Sequence, residues 1–251
     1  MPEAIEVNNF YKFVKQHLQI GTLYEIEIIS GRFLKKAPEH FDECICDKKL
    51  ILKEILIKGK TIFFKFDNEI TIAIIHGMSG SWSIEMDKHT RFQFKPSQLL
   101  DKKVFFNDIR SFGKMVIFKN EKDFEKEFNR LGPNVLDITS LTSSINFLER
   151  ISKKKNIPIG VALLDQTLIA GIGNYLRCDI LWKAGIHYAT PVKKVDLHIL
   201  FDAIVYCIDF HVNNQETQNY TCLVYMQDFD PNGLPVYRTK WRGRTIHSNF
   251  V

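Results

Sequence analysis

At 251 residues the chain is long enough for one or two domains of about 150 residues each, with room to bury a sizeable core. Hydrophobic residues at 45% and charged residues at 25% are the proportions of an ordinary globular protein, which excludes a disordered, collagenous or disulfide-stapled chain. Thirty-four Lys and Arg against 29 Asp and Glu leave a formal net charge of +5, which permits a polyanionic partner without requiring one. Five cysteines, an odd number lacking any C-x-x-C pair, point to a reducing compartment. The opening MPEAIEVNNFYKF has neither the apolar core of a signal peptide nor the basic character of a transit sequence. The longest apolar stretch, VDLHILFDAIVYCIDFHV, is interrupted by Asp196, His198, Asp202 and Asp209, which argues against a membrane span. The expectation is a soluble intracellular protein.

Val7, Phe10, Phe13, Val14 and Leu18 recur at helical spacing, with Gly21 as the C-cap that closes this first helix. From Leu23 to about Phe118 the pattern becomes short β-rich runs, LYEIEII, EILIKG, TIFFKF, ITIAII, SWSIE, KVFFND and MVIF, which predict a sheet or sandwich. A charged stretch, NEKDFEKEFNR, then leads to the breakers Leu131-Gly132-Pro133, the best linker in the chain. Beyond it, spacing predicts helices around Ile145 to Ile151, Val161 to Ile169, Leu176 to Ala184 and Leu197 to Ile208. NYTCLVYMQDFD, Pro231-Asn232-Gly233 and LPVYRTKWRGRTIHSNFV read as a terminal β-hairpin.

Three tempting motifs fail on chemistry. Gly59-Lys60-Thr61 is not a phosphate loop, because the motif needs glycine where Glu54 stands. Gly171-Ile172-Gly173 is not a dinucleotide fingerprint, because Leu176 occupies its third glycine position and the preceding segment is not a strand. Cys44 and Cys46 have no matching ligand pair elsewhere, so no metal site is expected. What remains is a helix, a two-glycine turn and a second helix with Asn174 at its N-cap position. Such a turn lets backbone N–H groups and the helix dipole approach a phosphate. The same residues also suit a plain helix-helix corner.

MPEAIEV followed by LLDQTLIAGIGN resembles the Fpg/Nei family of DNA glycosylases. GKTIFFKF, GMSGSW, DIRSFG and the C-terminal GRTIH match in order, so that the resemblance spans residues 2 to 247. It implies an α+β multidomain fold: an N-terminal helix plus β-sandwich over residues 1–130, a helix-two-turn-helix domain over 131–220, and a hairpin finger over 221–251, with DNA held between the domains. The four-cysteine zinc site of bacterial members is missing, since only Cys222 lies in that region. The finger therefore resembles the zincless type, held by strand pairing and aromatic packing, with Tyr237 and Trp241 as candidates.

Removing a base requires attack at the sugar C1′, and an amine can do this through a Schiff base if it is unprotonated. An α-amino group with a pKa of ~7.7–8.0 is far better suited at pH 7 than a lysine at ~10.4. The resemblance places the nucleophile at Pro2, exposed by removal of Met1, with Glu3 as general acid/base; a Glu in a first helical turn also serves the helix dipole. Lys60 matches a lysine that contacts the damaged nucleoside, with Lys58 as the neighbouring alternative. Extruding a nucleotide leaves a hole that apolar wedges and an arginine can fill, and Met78, Arg110 and Phe112 match the residues that do so. In strand-rich sequence Met78 and Phe112 also read as core. The family pattern has one more residue before Gly-Met-Ser-Gly than IIHGMSGSW provides, which leaves the role of His76 open. Gly171, Gly173 and Asn174 match the phosphate-binding turn, and Arg244 the arginine of the finger. Gly160 stands where a lysine is usual, with Lys153 to Lys155 as substitutes. The implied protein is a cofactor-free, metal-free monomer that excises oxidised bases from duplex DNA, preferring oxidised pyrimidines and hydantoins, in the nucleus or another DNA-containing compartment. An Fpg-like preference for damaged purines, a non-catalytic damage binder and an RNA-binding protein sharing only the two-turn element are the alternatives.

Overall fold

The computed structural model describes residues 2–97, 102–215 and 220–250; Met1, and Asn219 at the start of the expected hairpin, lie outside this set. The chain forms two compact units, Met1–Pro2 with Glu6–Arg130, and Glu3–Ile5 with Leu131–Val251.

In the first unit, α1 (Ala4–His17) is followed by β1 (Leu23–Ile28) and the one-turn helices α2 (Arg32–Lys35) and α3 (Phe41–Cys44). Then come β2 (Leu50–Lys58), β3 (Thr61–Phe66), β4 (Thr71–Ile75), β5 (Gly80–Ser83), β6 (Thr90–Pro96), β7 (Val104–Asp108), β8 (Lys114–Phe118) and α4 (Glu121–Arg130). The strands run in the order β5-β7-β6-β1-β2-β3-β4-β8, all paired antiparallel. β2 meets β1 only through Ile51 and Leu50, shifts register between Leu52 and Glu54, and then pairs with β3. That bulge bends the sheet into two halves. Phe64 on β3 lies 4.8 Å from Phe94 on β6 and 5.6 Å from Trp82 on β5, so the halves close face to face as a sandwich around aromatic rings. Val7, Val14 and Leu18 bury the inner face of α1 in the same core.

Several local readings need correction. α1 ends at His17, and Gly21, at φ 85°, belongs to the turn into β1 and not to a helix cap. RFQFKP, absent from the expected strands, is β6, which pairs with both β1 and β7. The charged stretch before the linker is itself a helix, α4, because Asn120 accepts the Asp123 N–H as a cap and Phe124 buries against Phe63.

The second unit contains α5 (Leu141–Ser152), α6 (Ile159–Ala162), α7 (Asn174–Ala184), α8 (Leu197–Asn214), β9 (Tyr237–Trp241) and β10 (Arg244–Ser248). Ser140 caps α5, Asp196 caps α8, and Gly185, in the left-handed region at φ 65°, ends α7. The helix expected from Val161 to Ile169 is only the single turn of α6. Asp165 accepts both the N–H and the hydroxyl of Thr167, and the chain leaves the helical path there.

The C-terminal hairpin turns later than expected. β9 and β10 are joined by Arg242 and Gly243, both at positive φ, the pair that a tight two-residue hairpin demands. Pro231-Asn232-Gly233 forms a separate turn because Asp230 accepts the N–H groups of Asn232 and Leu234. The hairpin rests on Cys178, Val224, Val236 and Ile246, and Asp230 also accepts from Trp182 and Asn249. Trp241 packs on Tyr188, but Tyr237 is exposed and adds nothing to this core. No helix among the described residues is long and apolar enough to cross a membrane, and no group of three or more His, Cys, Asp or Glu among them could hold a metal ion.

Candidate functional site

In the first unit, the loops leaving β4 and β7 are locked onto each other. Asp108, fully buried, accepts from Ser79 Oγ at 2.5 Å and from the Gly113 N–H at 2.6 Å, and Ser79 in turn accepts the Arg110 N–H at 2.9 Å. Gly77, at φ 63°, lies so close that a Cβ there would be 2.6 Å from the Phe112 carbonyl carbon, which excludes any larger residue. Arg91 donates to the Asp108 carbonyl, and Arg32 to that of Gly113. This frame displays Met78 and Phe112 at 41% and 49% exposure, with the Arg110 guanidinium 5.0 Å from the Phe112 ring centroid. The core reading of Met78 and Phe112 is therefore overturned: both stand on the surface, Phe112 beside a cation.

His76 supports that loop from beneath. It is buried, stacks on Phe10 at 4.9 Å, and accepts from Trp82 Nε1 at 2.9 Å. Burial pushes its pKa down to about 4, so the ring is neutral at physiological pH. The open question of its register resolves as packing: the imidazole faces the core while Met78 faces outward.

Lys60 is half-buried in the two-residue turn joining β2 to β3, where Gly59 takes φ 58°. Its alternative, Lys58, is committed elsewhere, donating to the Phe128 carbonyl at 2.7 Å with its ammonium 4.4 Å from that ring's centroid. Pro2 is half-buried ahead of α1.

In the second unit, the two-glycine turn is built differently from a free helix end. Gly173, not Asn174, is the N-cap of α7, and it has no side chain to satisfy the first N–H groups. Glu3 does this from a distant part of the chain. Its carboxylate, only 1% exposed, accepts from Gly173 N at 2.7 Å, Tyr175 N at 2.9 Å and Leu176 N at 3.2 Å. Glu3 therefore compensates the dipole of α7, not that of the helix it precedes. A Cβ on Gly173 would fall 2.3 Å from that carboxyl group, so only glycine fits. Gln166 braces the other side, accepting the Gly171 N–H at 2.9 Å and donating to the Ile172 carbonyl at 2.9 Å.

Asn174, freed from capping, donates through Nδ2 to the Thr245 carbonyl at 2.9 Å, next to the exposed Arg244 at the start of β10. Its Oδ1 accepts from Arg177. Arg177 and Asp179, both buried on α7, escaped the sequence reading, as did Asp108 and Gln166. Asp179 takes the N–H groups of Leu223, Val224 and Tyr225 and pairs with His211 at 3.0 Å. Asp108 and Gln166 sit inside the DIRSFG and LLDQ motifs, and charged residues interrupting the apolar run of α7 were the remaining visible signal.

The family model of the formamidopyrimidine-DNA glycosylase N-terminal domain matches residues 1–115, and that of the formamidopyrimidine-DNA glycosylase H2TH domain matches residues 131–220. A formamidopyrimidine-DNA glycosylase of Ligilactobacillus salivarius is 27% identical over 216 residues, covering 82% of this chain and 75% of the relative. Among solved structures, a Lactococcus lactis formamidopyrimidine-DNA glycosylase bound non-covalently to DNA containing an AP site superposes with a TM-score of 0.80 at 20% identity, covering 98% of this chain and 97% of the other. The same protein solved with DNA containing an oxidised pyrimidine gives a TM-score of 0.80 at 19% identity and the same coverage. With two consecutive domains of one family matched along the chain and that family's fold reproduced over nearly its whole length, this protein belongs to the Fpg/Nei family of DNA glycosylases.

Proposed function

We propose that the protein is a bifunctional DNA glycosylase and AP lyase of base excision repair that binds damaged duplex DNA and removes oxidised bases. The observation that carries this reading is the surface placement of Met78 and of Phe112, the latter beside Arg110, on loops braced by a buried carboxylate. Two large apolar side chains projecting from loops fixed to each other by hydrogen bonds suit a protein that must fill the gap left when a nucleotide leaves the stack. Arg110 faces the orphaned base, and Phe112 and Met78 wedge the duplex.

In this reading Met1 is removed and the Pro2 nitrogen attacks C1′. The glycosidic bond breaks and the base leaves with its electron pair; the nitrogen, having given up its proton, then drives open the C1′–O4′ bond as the ring oxygen is protonated, and the positively charged Schiff base so formed acts as an electron sink for β,δ-elimination. Glu3 moves protons at the sugar ring oxygen and at the attacking nitrogen. Lys60 contacts the damaged nucleoside, while Gly171, Gly173, Asn174 and Arg244 engage the backbone. No cofactor enters these steps. The division of labour is 1–130 for chemistry and wedging, 131–220 for backbone grip, and 221–251 as a finger without zinc, its cohesion coming from the Asp230 hub and the Val224, Val236 and Ile246 contacts. The protein acts wherever its DNA is housed.

Oxidised pyrimidines and hydantoins are the favoured substrates, in keeping with the zinc-free finger. The GMSGSW and DIRSFG stretches favour the second reading, damaged purines opposite cytosine. The test is borohydride trapping on duplexes carrying defined lesions, each against four opposite bases. A covalent species lost in Pro2→Gly is the expected result. No trapped species on any lesion would overturn the enzyme reading in favour of a damage binder, and full activity with Met1 retained by mass spectrometry would overturn Pro2 as the nucleophile.

A further inference from the structure

Arg177 is 1% exposed, yet no carboxylate lies within ion-pair distance of it among the described residues. Its Nη1 donates to the Gly160 carbonyl at 3.2 Å, its Nη2 to Asn174 Oδ1, and its Nε has no acceptor. Burial works most strongly against its charged form and the like charge of Arg244 adds to it, while Cys178 and the Glu3 carboxylate favour it. A buried guanidinium kept under these conditions needs a reason beyond cohesion, since a well-packed apolar side chain serves cohesion as well or better.

The reason lies in the amide of Asn174. The two ends of an asparagine side chain are nearly the same size, so only its neighbours decide which one faces where. Guanidinium donates and never accepts, so it holds Oδ1 toward itself and turns Nδ2 outward, to the Thr245 carbonyl beside Arg244. Nδ2 carries two hydrogens, and one remains to donate. Residue 160, a glycine, supplies no cation, and a Cβ there would sit tightly, 3.0 Å from the Tyr188 carbonyl oxygen and 3.3 Å from the Trp241 ring. Lys153 to Lys155 are exposed or half-exposed beyond the end of α5, whereas Arg177 reaches the Gly160 carbonyl itself.

We propose that Arg177 is a positioning residue that fixes the Asn174 amide with its donor end toward a DNA phosphate and ties that donor to the strand bearing Arg244. The inference rests on the functional reading above. It is tested with the full chain, using fluorescence anisotropy on a duplex carrying a tetrahydrofuran abasic analogue for affinity, and single-turnover borohydride trapping on a saturating duplex carrying an oxidised base, which keeps a leaving group at C1′, for chemistry. Arg177→Met should weaken binding about tenfold, the scale of one charge-assisted contact, while trapping at saturation stays within about twofold. Asn174→Ala should show a loss of affinity of the same size, and the double variant should bind no more weakly than Asn174→Ala alone. Arg177→Lys, retaining a donor, should recover part of the loss. Unchanged affinity in Arg177→Met, or losses that multiply in the double variant, would overturn the proposal. Asn174→Asp covers the case in which Arg177→Met does not fold: it keeps an oxygen facing Arg177 and replaces the outward donor with a negatively charged oxygen that a phosphate repels, so wild-type affinity in it is equally fatal. If wild-type protein traps DNA and these variants behave otherwise than expected, only this inference falls; if wild-type protein traps nothing, the enzyme reading falls first.

Discussion

Glu3→Gln separates two tasks that one side chain performs. Oε2 of Glu3 accepts from Gly173 N and Leu176 N, and Oε1 from Tyr175 N. A glutamine keeps one oxygen, which can serve the pair, but turns an NH2 group toward the third N–H and loses the negative charge at the start of α7. One charge-assisted hydrogen bond contributes about 1.5–3 kcal/mol. The charge-dipole attraction at a partly buried helix end adds up to ~2 kcal/mol. Together they predict a loss of about 3 kcal/mol and a thermal midpoint lower by roughly 10 °C. Gly173→Ala should cost a similar amount, because its methyl group displaces the same carboxylate, and the two changes combined should cost much less than their sum. Thermal melts of the four proteins, read by circular dichroism, measure this. Single-turnover excision well below the midpoint then isolates the chemical role, for which a drop of about 10²- to 10⁴-fold is expected. An unchanged midpoint in Glu3→Gln would refute the cap, and a lowered midpoint with normal excision would refute the proton-transfer role.

Three further outcomes follow from the first unit. Asp108→Ala strands the Gly113 N–H and releases Ser79, so denaturant unfolding should show a loss of about 3 kcal/mol, and a loss under ~1 kcal/mol would mean the loops are held some other way. Met78→Ala and Phe112→Ala, on exposed side chains, should leave stability within about 0.5 kcal/mol while slowing excision; a core-sized loss of stability would contradict their role as wedges. His76 stays neutral in the fold down to about pH 4, whereas in the unfolded chain it takes up a proton below about 6.5. Its contribution is complete above pH 6.5 and declines as pH falls toward 4, by about 3 kcal/mol at the end of that window. His76→Gln, which keeps an acceptor for Trp82, should flatten this slope in urea titrations, and a slope as steep as that of the wild type would assign it to other groups.

Patterns of neighbouring residues determined the elements that depend on local chemistry. Alternation marked seven strands, periodicity marked α1, α5, α7 and α8, and the two-glycine turn stood out because no other residue type suits it. β6 was missed because Arg91, Gln93 and Lys95 read as polar breaks, although they are one face of a strand whose Phe92 and Phe94 form the other. α4 was missed because its two phenylalanines, Phe124 buried and Phe128 half-buried, are set in dense charge, and only the sandwich face they cover makes them a stripe. The tertiary structure alone decided which charges are spent inside. Glu3 lies 170 residues from the N–H of Gly173, and Asn174 lies 71 from the carbonyl of Thr245. No local window can show that a carboxylate near one end of a chain caps a helix in its second half. A helix terminus leaves its backbone groups open, and whichever side chain the fold brings there satisfies them.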